Sequence, residues 1–151
     1  MQAPEAAPRP LLDVNVWVAL FDDSHVHNAQ ALALFQSKPK RRIATCPLVE
    51  SGVLRVLNLP GYSARGPLGF EAVRDKLKLA CSDVDHEFWP DDLSLRDDAL
   101  VDWRRTFSHN QVTDVYLLAL AVSRAGALAT FDHRVALNAV SGASAQHLLL
   151  L

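Results

Sequence analysis

Asp13, Glu50, Asp114 and Asp132 are the residues of this chain whose types and positions could do chemistry. Asp13 interrupts the apolar run Leu11-Leu12-Asp13-Val14-Asn15-Val16-Trp17, and Asp132 closes the run Ala127-Leu128-Ala129-Thr130-Phe131. Glu50 lies three residues after Pro47 and Asp114 directly after Thr113, each where a helix with a buried face begins. Singly, Asp13 and Asp132 could serve turns, and Glu50 and Asp114 could complement helix dipoles. Together they point elsewhere. In a doubly wound α/β fold, the C-terminal ends of parallel strands and the N-terminal ends of the following helices share one edge, which all four carboxylates can reach. Four unpaired carboxylates there would repel one another and take up protons unless a cation intervened. All-oxygen ligation suits Mg²⁺ or Mn²⁺. Such an ion lowers the pKa of a bound water and offsets charge on the attacking and leaving oxygens of a phosphodiester.

Positioning these acids requires strands alternating with helices, and the sequence supplies that alternation. The first strand ends near Asp13. Asp22-Asp23-Ser24 offers capping oxygens ahead of a helix marked by Val26, Ala29, Leu32 or Ala33, and Phe35. Ile43 to Cys46 is a short strand, and Pro47 suits the first turn of a helix buried through Val49, Val53, Val56 and Leu57. A loop from Pro60 to Gly69 precedes a helix with Phe70, Val73, Leu77 and Ala80, then a strand from His86 that ends at Pro90. Ser94 and Asp97 have capping-box spacing before Leu100, Val101 and Trp103, which predicts another helix. Thr113 is a plausible N-cap for the helix carrying Leu117, Leu118, Ala121 and Val122, which Gly126 ends. Strands follow at 127–131 and 145–150. The pattern predicts an α/β fold, a parallel sheet with helices on both faces.

The chain has 151 residues, half of them apolar, enough for one domain with its own core. A net charge of -2 argues against gripping nucleic acid by bulk positive charge. Residues 1–10 read as a disordered lead-in without signal-peptide character, leaving 11–151 as the domain. Cys46 and Cys81 lack zinc-site spacing and are expected to be reduced thiols in a cytoplasmic protein. No apolar segment has membrane length.

Around the four acids the sequence resembles the PIN domain ribonucleases, and within them the VapC toxins of bacterial toxin-antitoxin pairs. The segments carrying the resemblance are Leu11-Leu12-Asp13-Val14-Asn15, Pro47-Leu48-Val49-Glu50, Val112 to Ala121 and Leu128 to Asp132, in family order along nearly the whole chain; Phe88-Trp89-Pro90 and the C-terminal strand also fit. The resemblance implies a single PIN-like domain with a five-stranded parallel sheet, metal-dependent cleavage of RNA that inhibits translation, a VapB-type antitoxin blocking the site, and a homodimer. By position, Asp13, Glu50, Asp114 and Asp132 would be the acidic quartet, with Asn15 and Thr113 as supporting polar groups. Asp13 and Asp114 would then be the direct metal ligands, and Glu50 and Asp132 would complete the shell or orient water.

Other residues are weighed beside these. His25 and His27, two apart at a helix start, cannot form an i, i+4 zinc pair and read as surface or rim polarity. His109, shortly before Thr113, and Arg55, five residues after Glu50, are candidate RNA contacts. Lys38, Lys40, Arg41 and Arg42 form a basic cluster. Trp17, Phe21, Phe35, Leu117 and Leu118 read as core, and Trp103 and Tyr116 could pack at a subunit interface. Two alternatives compete with the nuclease. One is a haloacid-dehalogenase-like phosphatase with Asp13 as nucleophile, which Asn15 disfavours because that chemistry wants a second aspartate there. The other is an inert module that only binds an antitoxin.

Overall fold

The computed structural model describes residues 6–36, 41–106 and 108–151. Five short strands, β1 (Pro10–Leu12), β2 (Arg42–Thr45), β3 (Asp85–Phe88), β4 (Ala127–Thr130) and β5 (Leu148–Leu150), form one parallel sheet in the order β3-β2-β1-β4-β5. The chain runs outward from β1 through β2 to β3, then crosses back to β4 on the other side of β1. The order reverses between β1 and β4, and crevices at such reversals are where open α/β sheets bind ligands.

Helices connect the strands: α1 (Val14–Phe21), α2 (Asn28–Gln36), α3 (Pro47–Val56), α4 (Phe70–Ser82) and α5 (Gln111–Ser123). Helix α1 packs on α2 and α3, α4 on α3 and β3, and α5 on β4 and β1. Right-handed crossovers place α5 on the face opposite α1 and α3. The centre of the core is Leu11, Leu12, Val16, Trp17, Ile43, Val49, Val53, Leu117, Leu118 and Leu128, all fully buried. Trp17 contacts the rings of Phe21 and Phe35 at 5.6 and 5.4 Å. Among the described residues, no helix is long and apolar enough to cross a membrane.

Several local expectations need correction. Val14–Phe21 is a helix although Val14, Val16, Val18 and the aromatics are poor helix formers, because burial of Val16, Trp17, Val18 and Ala19 overrides propensity. In α2 the inward side chains are Ala31, Leu34 and Phe35, while Val26 is 85% exposed. The expected helix after Ser94 does not form. Ser94 Oγ instead accepts the Arg96 amide and Asp97 Oδ1 the Ala99 amide, local turns that compete with a helix. Val101 then bridges to Val140, and only a 3₁₀ turn follows at Trp103–Arg105. Helix α5 starts at Gln111 behind Asn110, so Thr113 lies inside it and is exposed. Residues 145–147 are a 3₁₀ turn, and the last strand starts at Leu148.

The first strand begins one residue before the expected boundary at residue 11, and residues 1–5 of the expected lead-in lie outside the described residues. Pro10 belongs to β1, and the Arg9 guanidinium donates to the Ile43 and Asp85 carbonyls and pairs with Asp85 and Glu87 at 3.1 Å each. Of the basic cluster, Lys38 and Lys40 lie outside the described residues, while Arg42 donates to the Ala7 carbonyl and is spent on the fold. Tyr116 is 6% exposed within this single chain and offers no interface surface. Trp103 is 38% exposed, with its indole N–H on the Leu95 carbonyl. Cys46 and Cys81 are free thiols, which burial pushes up to about 12 and about 11, so neither is activated.

Candidate active site

Asp13 is the first residue beyond β1 and the N-cap of α1. Its amide donates to the Ala129 carbonyl at 2.9 Å, continuing the β1–β4 ladder, and its Oδ1 accepts the Val14 amide at 2.7 Å. The side chain is 5% exposed. Its Oδ2 accepts a 2.8 Å hydrogen bond from the hydroxyl of Thr130, at the end of the neighbouring strand. That hydroxyl also accepts from Asn15 Nδ2 at 3.1 Å and from the Asp132 amide at 3.0 Å, while Asn15 Oδ1 accepts the Phe131 amide at 3.4 Å. Thr130 is thus the hub joining the ends of β1 and β4 across the switch point. The sequence reading missed it, though a threonine ending an apolar strand two residues before an aspartate was a visible signal.

Burial raises the Asp13 pKa, the bonds from Thr130 and Val14 oppose the rise, and the charge of Asp132 adds to it. Asp114, in the first turn of α5, is pushed up to about 7, first by burial and then by the charges of Asp13 and Asp132, with Arg134 pulling the other way. Asp132 is held below the usual carboxylate range because Arg134 forks onto it. Nε and Nη2 donate at 3.0 and 3.2 Å, and the Arg134 amide donates at 2.9 Å. Arg134 was likewise not singled out from the sequence. Asp114, Asp132 and Arg134 line a cavity of about 120 Å³ with Ser108, Asn110 and Gln111.

Glu50 does not line that cavity. Leu11 is in register with both Ala44 and Leu128, so Asp13, Thr130 and Ala44 face one side of the sheet, and Leu12 and Thr45 the other. Glu50 Oε2 accepts from the buried Thr45 hydroxyl at 2.8 Å, and that oxygen lies 2.7 Å from His86 Nε2. The carboxylate therefore reaches the same edge from the opposite face. Its charge is felt by His86 and Cys81, whereas Asp114 feels Asp13 and Asp132. Glu50 borders a groove of about 630 Å³ lined largely by apolar side chains, including Leu54, Leu59 and Phe70, and the exposed Arg55 lies in that groove too. His109 is exposed in the turn before α5, where its carbonyl accepts the Val112 amide. Thr113 stays exposed on the first turn of α5. His25 and His27 do not pair across a helix face; His27 stacks on Phe131.

Among the described residues, no three His, Cys, Asp or Glu side chains are gathered tightly enough to hold a metal ion as they stand. The donor chemistry nonetheless suits one. Asp13, Asp114 and Asp132 offer only oxygens, and burial together with the charges of Asp13 and Asp132 lifts Asp114 to about 7, a cost that a divalent cation would relieve.

A family model for the PIN domain matches residues 11–141, and the chain belongs to that family. Within it, the chain is similar to Ribonuclease VapC44 of Mycobacterium tuberculosis, 42% identical over 143 residues, covering 95% of this chain and 99% of that protein. It is also similar to Ribonuclease VapC29 of the same organism, 40% identical over 126 residues (83% and 87% of the two chains), and to Ribonuclease VapC39, 36% identical over 132 residues (87% and 94%).

Proposed function

We propose that this chain is a VapC-type toxin, an endoribonuclease that hydrolyses RNA phosphodiester bonds with Mg²⁺ or Mn²⁺ at Asp13, Asp114 and Asp132 and thereby inhibits translation. The observation that carries the reading is the crowding of these three carboxylates at the β1–β4 switch point, with Asp114 near 7. The ribonuclease names of the relatives support it. A bound divalent ion would supply a water of lowered pKa and charge compensation at the phosphodiester.

The chain's own residues do the rest. Thr130 and the Val14 amide fix both oxygens of Asp13, so its orientation is set before any ligand arrives. Asn15 braces Thr130 and the Phe131 amide, a supporting role without acid–base capacity of its own. Asp114 gives up its proton as the site loads. Arg134, exposed and forked on Asp132, is a cation within reach of a substrate phosphate. Glu50, anchored by Thr45 at the same edge, orients water from the other side. His109 and Arg55 contact RNA at the rim. The protein works in the cytoplasm as a homodimer, with a VapB-type antitoxin laid over the acidic edge.

The test is to purify the protein with Asp13→Asn and Asp114→Asn variants and follow cleavage of RNA with Mg²⁺ or Mn²⁺ and after chelation by EDTA. Cleavage should require the metal and fall at least about 100-fold in each variant. Undiminished cutting by both variants would overturn the proposal.

A further inference from the structure

One pair of rings at the acidic edge has no role in the mechanism above. Phe131 stands between Thr130 and Asp132, and its amide is tied to Asn15. His27, from the turn before α2, lies flat against it, with ring centroids 4.3 Å apart and planes within 12°. The imidazole is held from one further direction, by Gln30, and the backbone of His27 is tied to the neighbouring His25 ring. His27 Nδ1 is 2.6 Å from Gln30 Oε1, and the His27 amide donates to His25 Nδ1 at 3.1 Å. His25 stands beside the stack, 5.8 Å away and tilted by 41°. Both stacked rings are half-buried; Phe131 packs against the edge of the hydrophobic core, and His27 lies on its outer side.

An imidazole pinned by a glutamine against a phenyl ring, one residue along the chain from a site carboxylate, is a preformed flat surface next to where a phosphodiester would lie. Single-stranded RNA is read by laying unstacked bases on such rings, histidine included. We propose that His27 and Phe131 form a nucleobase subsite: the base of a nucleotide flanking the scissile phosphate extends the His27–Phe131 stack, and this contact contributes to the choice of cleavage position. The inference deepens the nuclease reading and rests on it. It requires a single-stranded or splayed-out base, since a base inside a duplex presents no free face.

The experiment uses fluorescein-labelled single-stranded octaribonucleotides, oligo(A), oligo(U) and an abasic backbone of equal length. Affinities are measured on the Asp114→Asn protein, which should not cleave them, alone and combined with His27→Ala or His27→Phe. His27→Ala should weaken oligo(A) binding roughly tenfold and leave the abasic strand unchanged, because base stacking and not phosphate contact is lost. His27→Phe keeps a flat ring and should restore the affinity. In the cleaving protein, His27→Ala should alter the pattern of cut sites more than the rate at the best site. Equal binding of oligo(A) with and without His27→Ala would overturn the proposal. So would equal losses on base-bearing and abasic strands, or a parent protein that binds neither oligo(A) nor oligo(U). Failure of the nuclease reading looks different: cutting that survives Asp114→Asn, whatever the His27 variants do.

Discussion

Asp114 and Glu50 are twins in the sequence, each an acid in the first turn of a helix behind a parallel strand or its loop, yet they meet opposite surroundings. Asp114 is pushed to about 7 by burial and by the two other aspartates it faces. Glu50 faces a neutral hydroxyl and accepts its hydrogen bond. Local structure does not cause the difference, since α3 and α5 both begin with the acid near the positive end of the helix dipole. Sheet register does. Asp13 and Thr130 point to the face that α5 covers and Thr45 to the face of α3, so one sheet edge carries a crowded acidic site on one side and a satisfied carboxylate on the other. Crowding of like charges is tolerated where a ligand is to relieve it, and it costs stability until then.

The largest expected effect separates the twins by activity. Asp114→Asn should lower cleavage by about 10²–10³-fold, whereas Glu50→Gln, which keeps an acceptor for Thr45, should lower it about tenfold. Equal losses, measured on one RNA under one metal concentration, would mean that the two sides of the edge act as one site in solution, and the contrast would fall.

Stability should separate them with the opposite sign. In the folded protein Asp114 holds its proton up to about pH 7, while in the unfolded chain it releases it near the ordinary value of 3.8. Between these pH values the native state binds more protons, so this carboxylate destabilises the metal-free protein progressively as pH rises through that window. Taken without screening, the difference is about 4 kcal/mol; partial exposure of the group reduces the expectation to about 1–2 kcal/mol. Urea unfolding of the metal-free protein should therefore show Asp114→Asn more stable than the parent at pH 8 and nearly equal at pH 4. A parent that gains stability from pH 4 to 8 relative to the variant would break the assignment. Added Mn²⁺ should stabilise the parent at pH 8 and not the variant.

The two buried threonines extend the contrast. Thr130→Val removes the donor from a desolvated Asp13 together with the acceptor for Asn15 and the Asp132 amide, and should cost about 1–3 kcal/mol with a 10–100-fold loss of cleavage. Thr130→Ser should restore both. Thr45→Val removes an equally buried hydroxyl but frees Glu50 and His86 at the far side, so its cleavage loss should be the smaller. A larger loss for Thr45→Val, by chemical denaturation and cleavage assay together, would show that the Glu50 side dominates.

Much of this edge could be read from residue types and spacing, and what could not has a common physical cause. Strands β1, β4 and β5, Pro47 at the start of α3 and the ends of β1 and β4 near Asp13 and Asp132 follow from apolar runs and capping chemistry, which are local. Which face each acid would take depends on register, set by pairing between strands more than 30 residues apart, and the reading that all four converge could not resolve it. Thr130 and Thr45 look alike in sequence and differ only in what the opposite strand brings. Helix α1 was hidden because Val14, Val16 and Trp17 favour strands in isolation, and burial decided the outcome. The His27–Phe131 stack joins residues over 100 apart and leaves no local trace at all.

The smallest effect concerns Arg134, and the molecule carries its own control. Asp132-His133-Arg134 and Asp102-Trp103-Arg104 are the same local device: an aspartate whose Oδ1 accepts the amide two residues on, with the guanidinium folded back onto the carboxylate at 2.9–3.2 Å. Both arginines are exposed, so each pair as such adds little to stability. Only Arg134 has Asp114 as a further electrostatic neighbour, which it holds down. Arg134→Ala should therefore let Asp114 rise further and make Mn²⁺ binding fall off more steeply as pH drops from 8 to 6, because the ion must displace a more tightly held proton. Arg104→Ala should leave the Mn²⁺ titration unchanged at both pH values. If the two variants behave alike, the fork on Asp132 is a turn and nothing more, and the field that sets Asp114 comes from the aspartates and burial alone.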